Sequence, residues 1–521
     1  MKSKALALVA LVGAASIVAV QALGCFNSRD DCALNPTLQC GPWGSGGGSS
    51  STGGAGSGGT GGMMLEGCDP SKTTQPVANT CGVFVSPSGD DGNAGTKEKP
   101  LKTLTAALAK GTTIYACSGS TPFSEAVTIS KAATLYGALD CASWVYAASK
   151  KTQLTANADA VPLTLASTAS GTELHDFAIS AVDAKTAGMS SIAVLDDHAD
   201  VTLDKVDVAA GVGAAGAAGG VQAQAMTPST ANGSNGTDDA MCNVPGVLGG
   251  AGGKNMCDGM TTGGGVGGSG LADVTGGDGN GGKPVMMPSN GGSGQTTTGP
   301  CKPGTKGADG TPGVPGMGAR GIGDVSASGY QGAVGAMGMS GVPGQGGGGG
   351  GGARQCDISG MFAGASGGGG GAGGCAGGAG SPAQSGGSSI GILALGAKLA
   401  LHAVTVTTKD GGAGGLGGNG QLGGTGGLPG SAVGPACAGG PGGQGGAGGP
   451  GAGGAGGHSV AIAIKGGALP DLSSATITKG KGAAGGAGGD MDTTTQTRGD
   501  GGLGCRTLDF TNPMSPSACA M

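Results

Sequence analysis

Glycine supplies 127 of the 521 residues, against an average usage of about 7%. Aromatic residues make up 2% and charged residues 11%, so most of the chain lacks the side chains to bury an ordinary globular core. The net charge of −6, with 26 Lys and Arg against 32 Asp and Glu and no long basic run, excludes nucleic acid as a partner, which demands a basic face.

Residues 1–24 read as an export signal: Lys2 and Lys4, an uncharged apolar stretch from Ala5 to Val20, then Ala22-Leu23-Gly24 before Cys25. A small residue immediately before a cysteine resembles the lipobox of bacterial lipoproteins, although Ala22 stands where Leu is usual. That resemblance implies that Cys25 is acylated and begins the mature chain, which meets the membrane through its lipid anchor. Phe26, rather than Asp, follows the cysteine; this resembles proteins passed on to the outer membrane and implies a bacterial cell-envelope, surface-exposed location. Two other readings stay open. An ordinary signal peptidase could cut after Val20-Gln21-Ala22, and the apolar run could remain as an uncleaved anchor.

The 15 cysteines support export. Without Cys25 the remainder divides into two even sets. Cys32, Cys40, Cys68, Cys81, Cys117 and Cys141 precede the glycine-rich region; Cys242, Cys257, Cys301, Cys356, Cys375, Cys437, Cys505 and Cys519 lie in or after it. Each set can close its own disulfides in an oxidising compartment. With no CxxC pair and four histidines, a zinc site is not expected.

Residues 25–67 form a flexible Gly/Ser-rich linker, and the folded body begins near Cys68. The segment 83–108 carries Ser86-Pro87-Ser88-Gly89-Asp90-Asp91, then Asn93, Gly95-Thr96, Pro100 and Thr103, then an amphipathic stretch. It resembles the opening of right-handed parallel β-helix proteins of the pectate-lyase-like type. The spacing of Leu101, Leu104 and Leu108 predicts a helix over 101–109 that covers the free end of a stack of strands.

An apolar pattern then recurs. Ile390, Ile392, Leu399, Leu401, Val404 and Val406 match Ile192, Val194, Val201, Leu203, Val206 and Val208, and also Leu163, Leu165, Thr172, Leu174, Phe177 and Ile179. A fourth copy runs through Val460, Ile462 and Leu469, then with one extra residue through Leu472, Ala475 and Ile477. Residues two apart share a side of a strand, so each initial pair is expected to face inward. The odd step from Leu203 to Val206 marks a corner between two sheets. Such copies bury their apolar side only by stacking. The expected fold class is all-β: a right-handed parallel β-helix solenoid with a short N-terminal capping helix and long Gly-rich insertions.

The copies start at irregular intervals, yet the glycine-rich stretches beginning at Ala209, Lys409 and Lys479 all follow the same point of the pattern. They should emerge from one side. The expected divisions are 68–208 for the opening and first coils, 209–387 for the first insertion, 388–408 and 458–479 for further coils, 409–457 for the second insertion and 480–521 for a glycine-rich end. Glycine recurs every third residue from Gly304 to Gly316 and from Gly332 to Gly344. These tracts are too short for a collagen helix, which leaves extended polyglycine-like strands packed side by side, or disorder.

His175, Asp204 and His402 occupy one outward position of three copies, an expected column that could bind a metal or relay a proton but reads more simply as a polar ladder. Asp196, Asp197 and Asp200 in "DDHAD", and Asp90, Asp91 and Asn93, could chelate calcium; both groups read better as turns. "GGDGNGG" at 276–282 resembles a calcium-binding nonapeptide without its tandem copies, and Arg498-Gly499-Asp500 resembles an integrin-binding tripeptide. No catalytic, metal or cofactor-binding residue is expected, so the chain is read as a non-enzyme. The expectation is structural or adhesive display of disulfide-linked glycine-rich loops, with a surface glycan or protein as ligand. The alternative is a carbohydrate-binding or polysaccharide-lyase-like protein, and a third reading is an ice- or mineral-binding array.

Overall fold

The computed structural model describes residues 67–221, 227–238, 241–284, 290–356, 358–491, 495–512 and 518–521. The export signal, Cys25, and Cys32 and Cys40 lie outside the described residues. The chain opens with β1 (Val83–Val85), helix α1 (Leu104–Lys110) and β2 (Thr113–Ser118), followed by β3 (Phe123–Ser124), β4 (Val127–Ile129), β5 (Thr134–Asp140), β6 (Thr152–Thr155), β7 (Leu163–Leu165), β8 (Thr172–His175), β9 (Phe177–Ser180), β10 (Ser191–Asp197), β11 (Asp200–Asp204) and β12 (Asp207–Ala210). Within the first glycine-rich stretch, three antiparallel pairs form from β13 (Gly246–Val247) with β16 (Gly270–Leu271), β14 (Lys254–Cys257) with β15 (Met260–Gly263), and β17 (Asp324–Ser326) with β18 (Gly329–Gln331). The pattern resumes with β19 (Ser389–Leu395), β20 (Lys398–His402), β21 (Thr405–Thr408), β22 (Ser459–Lys465), β23 (Thr476–Thr478), β24 (Gly504–Asp509) and β25 (Cys519–Ala520).

The chain visits three parallel sheets in rotation. The first is ordered β1-β2-β5-β8-β11-β20, the second β25-β24-β22-β19-β10-β7-β4, and the third β23-β21-β12-β9-β6-β3; β25 alone runs antiparallel. The corner between first and third sheets sits where the apolar spacing placed it. Asp176, Lys205 and Ala403 occupy it in successive circuits, with φ of 60°, 52° and 51°. A single left-handed residue turns the strand sharply there while both flanking strands keep their pairing. Leu174, Leu203 and Leu401 from the first sheet, Val194, Ile392 and Ile462 from the second, and Ile179, Val208 and Val406 from the third fill the interior.

Helix α1 begins later than the spacing predicted. Leu101 is already buried in a bridge with Val85, and Thr103 caps the helix through its side chain. Glu125 accepts from the Leu104 and Thr105 N–H groups, satisfying donors that have no partner inside the helix. Leu104, Ala107 and Leu108 close the N-terminal end of the interior.

Two expectations need correction. The pair at the start of each long second-sheet strand does not share a face: Val194, Ile392 and Ile462 point inward, whereas Ile192, Ile390 and Val460 join a second cluster with Val325, Leu508 and Phe510. The ladder skips Ala193, Gly391 and Ala461, which lie between them, a local irregularity that reverses the alternation. With both faces covered, these strands are apolar almost throughout. In the last circuit, Leu469 is 65% exposed and no first-sheet strand forms. The chain crosses from β22 to β23 as a loop, with only Leu472 and Ile477 packed against the interior.

The glycine-rich stretches all leave the third sheet, after β12, β21 and β23, and return to the second, at β19, β22 and β24. They therefore meet on one side, where they assemble into a bundle. Gly213, Gly216 and Gly219 N–H donate to the carbonyls of Asp410, Ala413 and Leu416; Gly412, Gly415 and Gly418 donate to Gly387, Gln384 and Ser381. Bonds recurring every third residue are the signature of polyproline II-type helices, which have three residues per turn and no internal hydrogen bonds. At the centre the three residues of each turn serve three neighbours. Gly347 and Gly350 donate to Gly371 and Gly368, Gly348 and Gly351 to Thr305 and Lys302, and Gly349 and Gly352 to Asn280 and Gly277. A Cβ on Gly348 would lie 1.7 Å from the Asn290 carbonyl oxygen, so only glycine permits this approach. The tracts 304–316 and 332–344 are neighbouring antiparallel helices of this bundle, not parts of a collagen triplet.

The disulfides respect the two cysteine sets. Cys68–Cys81 and Cys117–Cys141 close in the first; Cys242–Cys356, Cys257–Cys375, Cys301–Cys437 and Cys505–Cys519 close in the second.

Candidate functional site

The outward face of the first sheet carries one column of side chains through all six strands. Phe84, Tyr115, Tyr136, His175, Asp204 and His402 are in direct register on β1, β2, β5, β8, β11 and β20. The expected His175–Asp204–His402 column is therefore present. It is also the open end of a longer ring stack. Ring centroids are 5.0 Å apart for Phe84 and Tyr115, 5.4 Å for Tyr115 and Tyr136, and 5.0 Å for Tyr136 and His175, within the range favoured by stacked aromatics.

The first half of the column is roofed. Phe84 and Tyr115 are buried with Val77 and Trp144, and the Tyr115 hydroxyl donates to the Cys68 carbonyl at 2.6 Å. Two disulfides pin this cover, Cys68–Cys81 under the N-terminal segment and Cys117–Cys141 beside the loop that carries Trp144. Burial pushes the Tyr115 phenol upward and raises Tyr136 to about 12, so both hydroxyls stay protonated.

The second half is open. His175 Nδ1 lies 3.2 Å from Asp204 Oδ2, and its Nε2 lies 3.4 Å from Glu173 Oε2. At the adjoining corner, Asp176 Oδ2 accepts from the Tyr146 hydroxyl at 3.0 Å while its Oδ1 has no partner. Burial raises the Asp176 carboxyl; the Tyr146 hydrogen bond and the Lys205 charge act against that rise. Lys151 reaches from the same side to Asp207 at 2.6 Å. Tyr136 is itself buried between Tyr115 and His175, so the open part of the face offers the His175 and His402 imidazoles beside a row of hydrogen-bond acceptors. Among the described residues His175 hydrogen-bonds only to carboxylates.

The other sequence-flagged groups do not converge. Asp196 is fully buried in the interior, with Oδ1 accepting from Ala199 N–H and Oδ2 unpartnered, and burial pushes its carboxyl up to about 7. Asp197 turns to His198 at 2.7 Å, and Asp200 accepts from Lys398 N–H. These three carboxylates point apart and make no chelate. Asp91 is engaged by the Lys102 and Thr103 N–H groups, Asp90 by Gly92 N–H, and the Asn93 amide donates to the Pro100 carbonyl. Asp278 accepts from Gly294 N–H. Asp500 binds the Arg320 guanidinium at 2.7 Å and Gly321 N–H, so the tripeptide at 498–500 is fastened down. No group of three metal-ligating side chains occurs among the described residues, and no described helix is long and apolar enough to cross a membrane.

The sequence pattern alone does not mark the aromatic half of the column. The signal lay in "VFV", "TIYAC" and "TLYGAL", each with one ring inside an apolar run. Only the register shows that the rings fall in line with His175. No family model, curated protein or solved structure matches the chain.

Proposed function

We propose that the chain is an exported, lipid-anchored cell-surface protein in which a right-handed parallel β-helix supports a glycine-rich bundle as the displayed, adhesive or structural element. The right hand follows from the crossover preference of parallel strands, and the anchor is Cys25. The observation that carries the reading is the bundle itself. The glycine-rich helices of its long insertions are hydrogen-bonded to one another and closed by Cys242–Cys356, Cys257–Cys375 and Cys301–Cys437, a construction suited to an oxidising compartment. Its rim leaves large apolar residues bare, among them Leu416, Leu422 and Leu428 on one helix, and exposed apolar surface favours contact with partners.

The test labels intact host cells with an antibody against residues 302–318, comparing wild type with Cys25→Ser. Labelling of wild-type cells, with the variant no longer held in the outer membrane, supports anchored display. Labelling only after lysis defeats it.

The open column favours a second reading, a carbohydrate-binding face. His175 and His402 provide exposed ring edges, and strand β5 also borders a polar cleft of about 570 Å³ lined by Ser118, Ser120, Asp140, Lys150, Lys151 and Gln153. Retention on an array of surface polysaccharides, lost in His402→Ala, distinguishes it from display alone.

A further inference from the structure

Among the exposed apolar residues of the bundle, six form one continuous face. The N–H groups of Ala336, Met339 and Val342 donate to the carbonyls of Met317, Val314 and Thr311, which sets helices 302–318 and 333–345 side by side and antiparallel. Gly310, Gly313 and Gly316 on one, and Gly335, Gly338 and Gly341 on the other, stand against backbone or side chains of neighbouring helices, where a Cβ would clash. With glycine inward at every third position, the other two positions of each turn must face outward. They carry Val314, Met317, Val334, Met337, Met339 and Val342, between 44% and 79% exposed. The face measures on the order of 600 Å², the upper end of what a monomer leaves bare. With Thr311, Pro312, Pro315 and Ser340 beside it, it approaches the roughly 800 Å² per partner of a stable interface.

The charges at its rim are already matched inside the chain. Lys306 pairs with Asp309 at 2.8 Å, Arg320 with Asp500 at 2.7 Å, and Lys465 with Asp324 at 2.6 Å. Only Lys302, at the far end of helix 302–318, is left without an ion pair among the described charges of these two helices, and the residues from Gly332 to Gly352 include no charge at all. A lipid surface is the poorer occupant, because bilayer-binding faces carry basic and aromatic residues and this one has neither. Methionine and valine without charge is the composition of subunit interfaces, and methionine adapts readily to an apolar counterpart.

We propose that this face pairs with the same face of a second copy of the chain. Two antiparallel helices present similar surfaces from either end, which suits an isologous two-fold contact that closes on itself rather than extending into a fibre. The proposal is independent of whether the protein is displayed or binds a glycan.

The test places the photo-crosslinking residue p-benzoylphenylalanine at Met337 in the full chain, expressed in its host, and illuminates intact cells. The expected product has twice the chain mass, and its crosslinked peptides join position 337 of one copy to residues 311–342 of the other. It should disappear when Val314→Lys and Met339→Lys are added, with the bundle disulfides of that variant still formed on a non-reducing gel. If the double variant fails to form them, the peptide map of the first experiment decides alone. An adduct to lipid, to another protein or to a different part of the chain overturns the proposal, as does the absence of any adduct.

Discussion

His175 Nδ1 and Asp204 Oδ2 lie 3.2 Å apart on neighbouring strands, although 29 residues separate them in sequence. Their side chains are 20% and 29% exposed, and His175 also stacks on Tyr136. Water reaches both partners, so the pair should behave as a surface contact. A double-mutant cycle with His175→Ala and Asp204→Ala, read from urea unfolding, should give a coupling of about 0.5–1 kcal/mol. A coupling above about 3 kcal/mol would identify a desolvated pair, and the face would then merit assay as a reactive site.

Two buried groups bend the pH dependence of stability in opposite directions. Asp196 has a folded value of about 7 against the ordinary 3.8; its contribution is complete below about pH 4 and is lost as pH rises through 7. His458 is buried and neutral, its Nε2–H donating to the Ile322 carbonyl and its Nδ1 accepting from Leu503 N–H, and burial lowers it below 6.5. Its contribution is present above pH 6.5 and is lost as pH falls through the lowered value. Unfolding should therefore be hardest at mildly acidic pH. Asp196→Asn should flatten the alkaline side by up to about 4 kcal/mol, at about 1.4 kcal/mol per unit, and His458→Gln should flatten the acid side. Urea midpoints from pH 4 to 8 check both, and an unchanged profile in either variant would refute its assignment.

Cys301–Cys437 ties the ends of a 136-residue separation across the bundle. Chain-entropy arguments give such a closure about 4–5 kcal/mol. Paired Cys301→Ser and Cys437→Ser should lower the unfolding free energy by a few kcal/mol, or about 3–5. Hydrogen exchange should quicken first at Gly348 and Gly351, whose N–H groups donate to Thr305 and Lys302 beside the bridge. Exchange that quickens equally in the β-sheets would mean that bundle and sheets unfold as one unit.

What the sequence made legible follows from what each residue type can do alone. The corner between the first and third sheets was readable because the step from Leu203 to Val206 breaks strict alternation, and Lys205 takes the left-handed turn that this step requires. The outward column was readable from the equivalence of His175, Asp204 and His402. Period-two alternation places Ile192, Ile390 and Val460 on the wrong side because it cannot detect a skipped residue. Their outer cover, the β17–β18 hairpin, lies far away in sequence. The exposed Leu469 shows the opposite failure, a matching apolar residue with no neighbouring strand to receive it. Glycine's period of three was visible from Gly304 to Gly316. Its neighbours were not, because glycine has no side chain to mark a partner, and only backbone hydrogen bonds distinguish a packed helix from a disordered tract.

That distinction is open to direct test with single methyl groups. Gly348 sits where three helices converge, and a Cβ there would lie 1.7 Å from the Asn290 carbonyl oxygen, against backbone that cannot swing aside. Gly220 is equally part of a glycine run, yet a Cβ there meets only the Ser381 hydroxyl at 3.9 Å. In a disordered tract Gly→Ala is harmless, and it stabilises by about 0.4–1 kcal/mol where the backbone conformation is compatible. Gly220→Ala should therefore be neutral or slightly stabilising. Gly348→Ala must separate helices and break the donation to Thr305, and should cost about 3 kcal/mol or more. Thermal unfolding of the two variants gives the answer: equal melting temperatures would mean that the bundle is not packed as described, whereas a drop confined to Gly348→Ala ties the stability of the insertions to backbone contact that glycine alone allows.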